Sequence, residues 1–488
     1  MTPPPIRVNE AEIRRLALGC VLASWEGPSI PYWIERLLGD GLGGVVLFES
    51  NLAADDAYTR AMTDQLRTAA GRPIVIALDE EGGEVTRLPR LPAGNSPGQA
   101  ALGYLDDVET TEQVYASIGE RLVRCGITMN LAPVADVNSN PHNPVIGVRS
   151  FGADSALVAR HVRAAVRGLQ RAGVAACVKH FPGHGDTSLD SHYDLPTIAA
   201  DLDHLERYEL PPFEAGIEAG ARAIMTGHLA VPALDAELFT TISPVVNQAL
   251  LRQRLGFEGT IVSDAMEMRP LSGGLGIVEG TVEALIAGTD TIELGFEEHV
   301  DVLKAIPTAV YNAVVLGRLS VERLRDAAAR TAALATLDGA HAEPAADHLV
   351  ASAAARSIER SPELRLGKKL LVVECHSPHN LAVGEVEWSL ARPLAKRGAD
   401  VTLIKVDDEA TATAAAHELR ASTLSVVVVT RDPHRHPWQQ HLLSAAAERS
   451  GAVTVETGWP APGQSATVRT RGISADLLDA AADLLTGS

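Results

Sequence analysis

Between Lys179 and Pro196 the chain reads KHFPGHGDTSLDSHYDLP, with three histidines, three aspartates and a lysine in eighteen residues. Such a loop could be a metal cradle, a proton-handling device or a polar turn. His180, His184 and Asp186 offer nitrogen and oxygen ligands. However, Pro182 and Gly183 interrupt any helix that would align the two imidazoles, and no second ligand cluster is evident, so no metal is expected. Asp190 and His192 set a carboxylate and an imidazole two residues apart. A hydrogen bond between them would fix the imidazole tautomer and raise its pKa, which suits proton transfer near neutral pH. The same pair could equally cap a turn. A second segment, GFEGTIVSDAMEM (256–268), ends an apolar run on Asp264. That carboxylate could be a helix N-cap or a nucleophile aimed into a pocket, and position alone does not decide.

The elements that must carry these residues are legible as short apolar runs between helical stretches. LGCVL (18–22), GVVLF (44–48), IVIAL (74–78), TMNLA (128–132), AACVK (175–179), RAIMT (222–226), TIVS (260–263) and DTIEL (290–294) read as buried strands. SALVARHVRAAVRGLQRAG (155–173) and HLERYELPPFEAGIEAG (204–220) have helical periodicity and end on glycine. Eight strand–helix units in sequence predict a (β/α)8 barrel over residues 1–337, in preference to a doubly wound open sheet. In a barrel, chemistry sits beyond the C-terminal strand ends. Glu49, Asp79, His180, His228, Asp264 and Glu293 fall there, on one rim.

DGAHAEPAADH (338–348) reads as a linker. Residues 349–488 then carry a second α/β pattern with four strands, KLLVVEC (369–375), VTLIKV (401–406), LSVVVVT (424–430) and VTVET (453–457), expected to form a smaller open sheet without a catalytic motif. Its one conspicuous polar cluster, DPHRHP (432–437), reads as a solvated turn.

The 488 residues carry a formal charge of −20, which repels nucleic acid and anionic membrane surfaces. The four cysteines (Cys20, Cys125, Cys177, Cys375) lie far apart, with no spacing typical of zinc sites or a disulfide framework. No apolar run approaches membrane-spanning length, and MTPPPIRVNEAEIRR lacks the apolar core of a secretory signal. A cytoplasmic location is expected.

The His-rich loop, together with ALDEEGGEVTRL (77–88), NLAPVADVNSNP (130–141), GVRSFG (147–152) and GFEGTIVSDAMEM, resembles family-3 glycoside hydrolases. More narrowly, it resembles their NagZ-like β-N-acetylglucosaminidase branch in its two-domain form. The match runs in order through about residues 10 to 335. The resemblance implies a retaining exo-β-N-acetylglucosaminidase without a cofactor, acting on small saccharides with terminal β-linked GlcNAc from peptidoglycan or chitin. It implies Asp264 as nucleophile, His192 as acid/base and Asp190 as the partner that orients it. Asp79, Arg87, Arg149, Lys179 and His180 carry over as substrate-binding residues. Most retaining glycosidases use two carboxyl groups about 5–5.5 Å apart; an imidazole in place of one removes a negative charge when neutral. Phosphate could then rival water as acceptor, so a phosphorylase is the alternative, ahead of a metallohydrolase or a non-catalytic sugar-binding protein. Glu80 and Glu84 stand where many relatives have Gln and Arg, and the added negative charge is expected to work against an acidic substrate.

Overall fold

The computed structural model describes residues 9–52, 55–88, 96–187, 195–268, 274–295, 300–336, 348–361, 366–377, 382–383 and 388–487. Eight parallel strands form the first sheet: β1 Val21–Ala23, β2 Gly44–Val46, β3 Val75–Leu78, β4 Met129–Asn130, β5 Ala175–Phe181, β6 Ala223–Thr226, β7 Thr260–Ser263 and β8 Ile292–Glu293. They pair in chain order and β8 returns beside β1. A bridge between Val262 and Thr291 brings β7 to β8 and closes the barrel.

Strand alternation explains why these runs are apolar throughout. Leu22, Val46, Val75, Ala77, Met129, Ala175, Cys177, Ala223, Met225 and Val262 fill the barrel interior. Their neighbours Val45, Ile76, Ala176, Val178, Ile224 and Ile261 point the other way, into the larger core shared with the helices. A strand buried on both faces has no polar side to show.

The helix Ser155–Ala172 is capped by Asp154, which accepts from Leu157 N–H, and ends at Gly173 in the left-handed conformation, as its sequence predicts. The segment from 204 is less regular. A π-helical turn, Leu205–Glu209, precedes the α-helix Leu210–Glu218, where Pro211 and Pro212 cannot donate the N–H bonds of an unbroken helix. The first predicted strand is also displaced: Leu18 and Gly19 belong to the helix Glu10–Gly19, whose buried face is Ile13, Ala17 and Leu18, and β1 starts at Val21.

The second sheet has six strands rather than the four expected: β9 Glu359–Arg360, β10 Lys369–Cys375, β11 Asp400–Val406, β12 Ser425–Thr430, β13 Val453–Glu456 and β14 Val468–Arg469. Their order is β11-β10-β12-β13-β14-β9, with only the β14–β9 pair antiparallel. The additional two are two-residue strands, too short to leave a pattern. Residues 338–347 of the expected linker lie outside the described residues; His348 opens the helix His348–Ser357.

DPHRHP is not a solvated turn. His434 Nε2 donates to the carbonyl of Pro141 at 2.7 Å, and Arg435 reaches the carbonyl of Asn143 at 3.4 Å, so the loop after β12 docks on the barrel. No described helix is long and apolar enough to cross a membrane.

Barrel closure also requires strands to approach closely at β2. A Cβ on Gly44 would lie 2.0 Å from the carbonyl oxygen of Val75, an atom fixed by the β2–β3 ladder. Gly44→Ala is therefore expected to lower stability by about 1–3 kcal/mol, read by urea denaturation. An unchanged midpoint would show that the ladder can open at no cost.

Candidate active site

Three strand exits build one side of the rim. β3 runs into Asp79, Glu80 and Glu81; β5 carries Lys179; and the short 3-10 turn Gly147–Arg149 follows β4. Lys179 Nζ lies 2.5 Å from Asp79 Oδ1 and 2.8 Å from Glu81 Oε1. Arg149 grips Glu81 with two bonds, Nε to Oε2 at 2.9 Å and Nη2 to Oε1 at 2.7 Å. Arg87 Nη2 stands 3.7 Å from Asp79 Oδ2. Lys179, Arg149 and Glu81 are all nearly inaccessible to solvent. Burial alone would drive Glu81 towards its neutral form, but Arg149 and Lys179 outweigh it and hold the carboxyl well below the usual range. Burial likewise opposes the charge on Lys179, and Asp79 and Glu81 reverse that, so the ammonium stays protonated. These side chains form a charge network fixed before any ligand arrives.

Asp136, in the loop after β4, organises the first half of the His-rich loop. Its Oδ1 accepts the backbone N–H of His180 at 3.1 Å and of His184 at 2.8 Å. Its Oδ2 lies 2.7 Å from His180 Nδ1. Burial raises its pKa, but His180 outweighs this and keeps Asp136 below the ordinary carboxylate value. An ionised carboxylate can only accept, so His180 carries its proton on Nδ1. The loop is tied further along by Asn143, whose Nδ2 donates to the carbonyls of His184 and Gly185. His184 is buried with Nδ1 against Thr187 Oγ1 at 2.8 Å; burial pushes its pKa down to about 4 despite Asp136. Asp186 is exposed while His184 is buried, so the ligand triple weighed for a metal does not converge. Among the described residues no group of three His, Cys, Asp or Glu side chains is placed to hold an ion.

Asp264 follows β7 directly. Its N–H donates to the carbonyl of Thr226 on β6 at 3.1 Å, and its Oδ1 accepts from Ala265 N–H at 2.9 Å. His228, at the β6 exit, accepts from Thr241 Oγ1 through Nδ1 at 2.7 Å and donates from Nε2 to the Ala265 carbonyl at 3.0 Å. It therefore braces the backbone beside Asp264. The Cys177 thiol, inside the barrel just below, is pushed up first by burial and then tuned by Lys179, Glu293, Asp79 and Asp264. Lys179 on β5, Asp79 after β3, Asp264 after β7 and Glu293 on β8 all lie at this barrel end. Glu293 sits on β8 between Ile292 and Leu294, both in the outer core, so it points inward. Burial, with Asp79 and Asp264 adding to it, raises its pKa well above the ordinary value, and its buried Oε2 has no hydrogen-bond partner among the described residues.

The structure thus brings Asp79, Arg87, Arg149, Lys179, His180 and Asp264 to one rim. Glu49 does not join them: it is exposed and opens a 3-10 turn, Glu49–Asn51. Asp190 and His192 lie outside the described residues. Residues 33–334 match the glycosyl hydrolase family 3 N terminal domain. The chain belongs to glycosyl hydrolase family 3. It is 35% identical over 320 residues to the beta-hexosaminidase A of Pseudoalteromonas piscicida, covering 60% of this chain and 53% of that protein, so it spans about half of that relative's length. It is 35% identical over 281 residues to the beta-hexosaminidase of Thiobacillus denitrificans, covering 56% of this chain and 77% of that one. Among solved structures, a family 3 beta-N-acetylglucosaminidase from Paenibacillus sp. str. FPU-7 superposes with a TM-score of 0.88 at 33% identity, over 97% of this chain and 96% of that one. NagZ from Neisseria gonorrhoeae, in complex with N-trifluoroacetyl-D-glucosamine, gives 0.57 at 28% identity over 66% and 91%.

Two site residues escape a reading by strand exits. Asp136 lies six residues past the end of β4, beyond the window where a rim acid is sought. Glu81 is one of four acids in DEEGGE, and nothing in the spacing marks it as the one that two cations share. The two family-3 departures also prove harmless to the site's charge. Glu80 is buried, accepting from Arg87 N–H at 2.9 Å, Leu88 N–H at 3.1 Å and the Thr86 hydroxyl, and burial raises its pKa. Glu84 is ion-paired with Arg431. Neither projects an uncompensated charge at a substrate, so the expected bias against acidic substrates loses its basis.

Glu209 lies directly beneath the PGHG turn, where a Cβ on Gly183 would collide with its carboxylate. Burial first, then the charges of Asp136 and Asp186, push its pKa from 4.5 to about 8. The stability it contributes is whole below its ordinary pKa and is lost as pH rises through the raised one. Glu209→Gln, which cannot ionise, is expected to lose less thermal stability than the parent between about pH 5 and about pH 8.5. Parallel melting-temperature profiles for the two proteins would refute this.

Proposed function

We propose that the protein is a retaining exo-β-N-acetylglucosaminidase that removes terminal β-linked GlcNAc from short peptidoglycan- or chitin-derived saccharides. The observation that carries this reading is the position of Asp264: a carboxylate at the β7 exit, on the same barrel end as the fixed Asp79–Lys179–Glu81–Arg149 network. Support comes from relatives named beta-hexosaminidases and from a beta-N-acetylglucosaminidase structure that matches both domains.

Asp79 accepts hydrogen bonds from sugar hydroxyls, and Arg87, Lys179 and His180 supply donors at the same rim. Arg149 is almost wholly engaged by Glu81, so its contribution to the sugar passes mainly through the network it neutralises. An Asp264 oxygen attacks the anomeric carbon as the C–O bond to the leaving group breaks. The departing oxygen takes a proton from the His192 imidazolium, oriented by Asp190. Neutral His192 then accepts a proton from water, whose oxygen displaces Asp264 and releases GlcNAc with retained configuration. Water is the main acceptor in this reading.

Asp264→Ala is expected to lower kcat/KM on chitobiose by at least about a thousandfold without loss of fold. His192→Ala is expected to slow chitobiose cleavage far more than release of p-nitrophenolate, which departs without a proton. Wild-type turnover of chitobiose by both variants would refute the assignment. Product analysis with added phosphate separates the acceptors: GlcNAc as main product is expected, and mainly GlcNAc-1-phosphate would make the enzyme a phosphorylase.

A further inference from the structure

The acids on the segment after β3 are satisfied from within the barrel, with one exception. Asp79 is held by Lys179, Glu81 by Arg149 and Lys179, and Glu80 by backbone N–H groups of its own segment. Glu84 is matched from the second domain instead. Arg431, at the end of β12, places both terminal nitrogens against both Glu84 oxygens, with Nη2 to Oε1 at 2.8 Å. The Glu84 side chain is only 5% exposed, so it cannot turn to water for compensation.

Arg431 is itself fixed. Its N–H donates to Gln439 Oε1 at 2.9 Å. The next residue, Asp432, has a left-handed backbone with φ of 50°. Its N–H donates to Glu456 Oε1 at 3.0 Å and its Oδ1 accepts from Trp459 N–H at 2.7 Å. On the barrel side, Gly82 and Val85 form an antiparallel bridge, so residues 81–87 fold back as a small hairpin. Gly82 and Gly83 turn it, with φ of 88° and 66°. Glu84 is at its tip and Arg87 on its returning arm. A second bond crosses between the domains there, from Arg87 Nη2 to the carbonyl of Ala382 at 2.7 Å.

We propose that Arg431 is a positioning residue of the sugar site: by pinning Glu84 it fixes the hairpin after β3 and thereby the place where Arg87 and Asp79 meet the sugar. This rests on the functional reading above, in which those two side chains bind GlcNAc. The second domain then serves the site by supplying the cation that, among the described residues, the barrel does not give this acid. Its effect falls on binding more than on the chemical step, because Asp264 follows β7 and His228 braces the backbone beside it through the Ala265 carbonyl, away from the hairpin.

The test is calorimetric titration of GlcNAc into the full-length protein, alongside chitobiose kinetics and melting curves. Arg431→Gln is expected to weaken GlcNAc binding and raise KM by at least about tenfold, the loss of one charge-assisted interaction, with kcat within about threefold. Arg431→Lys, which keeps the charge but not the two-pronged grip, is expected to recover part of the affinity. Should Arg431→Gln fail to fold, Glu84→Gln removes the same ion pair without leaving a buried charge on the barrel and is expected to show the same split. If folded Arg431→Gln or Glu84→Gln binds GlcNAc as the parent does and loses only melting temperature, the pair is structural and the proposal falls. If the parent itself does not bind GlcNAc, the functional reading falls, and the proposal with it.

Discussion

The site depends on one constraint: charges placed at the mouth of an apolar barrel must compensate one another. Lys179, Glu81 and Arg149 are almost fully buried, where an unmatched charge costs several kcal/mol. Each therefore needs its partners, and the partners arrive on different strands. Lys179 comes from β5, Glu81 and Asp79 follow β3, and Arg149 follows β4. Closure of the barrel brings these exits together, and the ion pairs then fix the side chains in single positions. Rigidity follows from compensation, because each charge loses its match if it moves. A sugar is recognised by the directions of its hydroxyl groups, and donors and acceptors held in advance spare the cost of ordering them on binding.

The same logic extends along the His-rich loop. Asp136 gathers two backbone N–H groups and one imidazole, so a single buried carboxylate sets the path of residues 180 to 184. Beneath the turn Glu209 takes the opposite solution. Its one ion-pair neighbour among the described residues is the His204 imidazole, 3.8 Å from Oε1, and burial outweighs it and favours the neutral acid. Whether a buried acid becomes charged or neutral is thus decided by which neighbours the fold delivers, and both outcomes occur around one loop.

Much of the barrel was legible in the sequence because its strands are buried on both faces and so read as unbroken apolar runs. The rim residues could be found because an ionisable group directly after such a run is conspicuous. Other features were not legible. The first strand was placed early because Leu18 and Gly19 extend its apolar run, although they complete the buried stripe of the preceding helix. Asp136 lies too far beyond its strand for a rule about strand ends. DPHRHP looked like a turn in water because a single sequence cannot say that His434 and Arg435 face another domain. Pairings over such separations, as between residues 84 and 431, leave no local trace in composition or spacing. Only the fold brings them together.

Glu293 shows why the neutral solution matters for the proposed chemistry. Asp79 and Asp264 both act on it from the same barrel end. Were Glu293 ionised as well, three carboxylates would share a barrel end at which Lys179 is already committed to Asp79 and Glu81. Repulsion among them would favour protonating one, and a nucleophile must not be the one that takes the proton. The group most deeply placed and without a hydrogen-bonding cation yields first, and by its position on β8 that group is Glu293. Its protonation also changes what it can offer, since a carboxylic acid donates a hydrogen bond where a carboxylate only accepts. With Asp264 as the proposed nucleophile, the oxocarbenium-like transition state of glycoside cleavage gains from negative charge there, and burial that disfavours the charged form of Glu293 keeps it from competing.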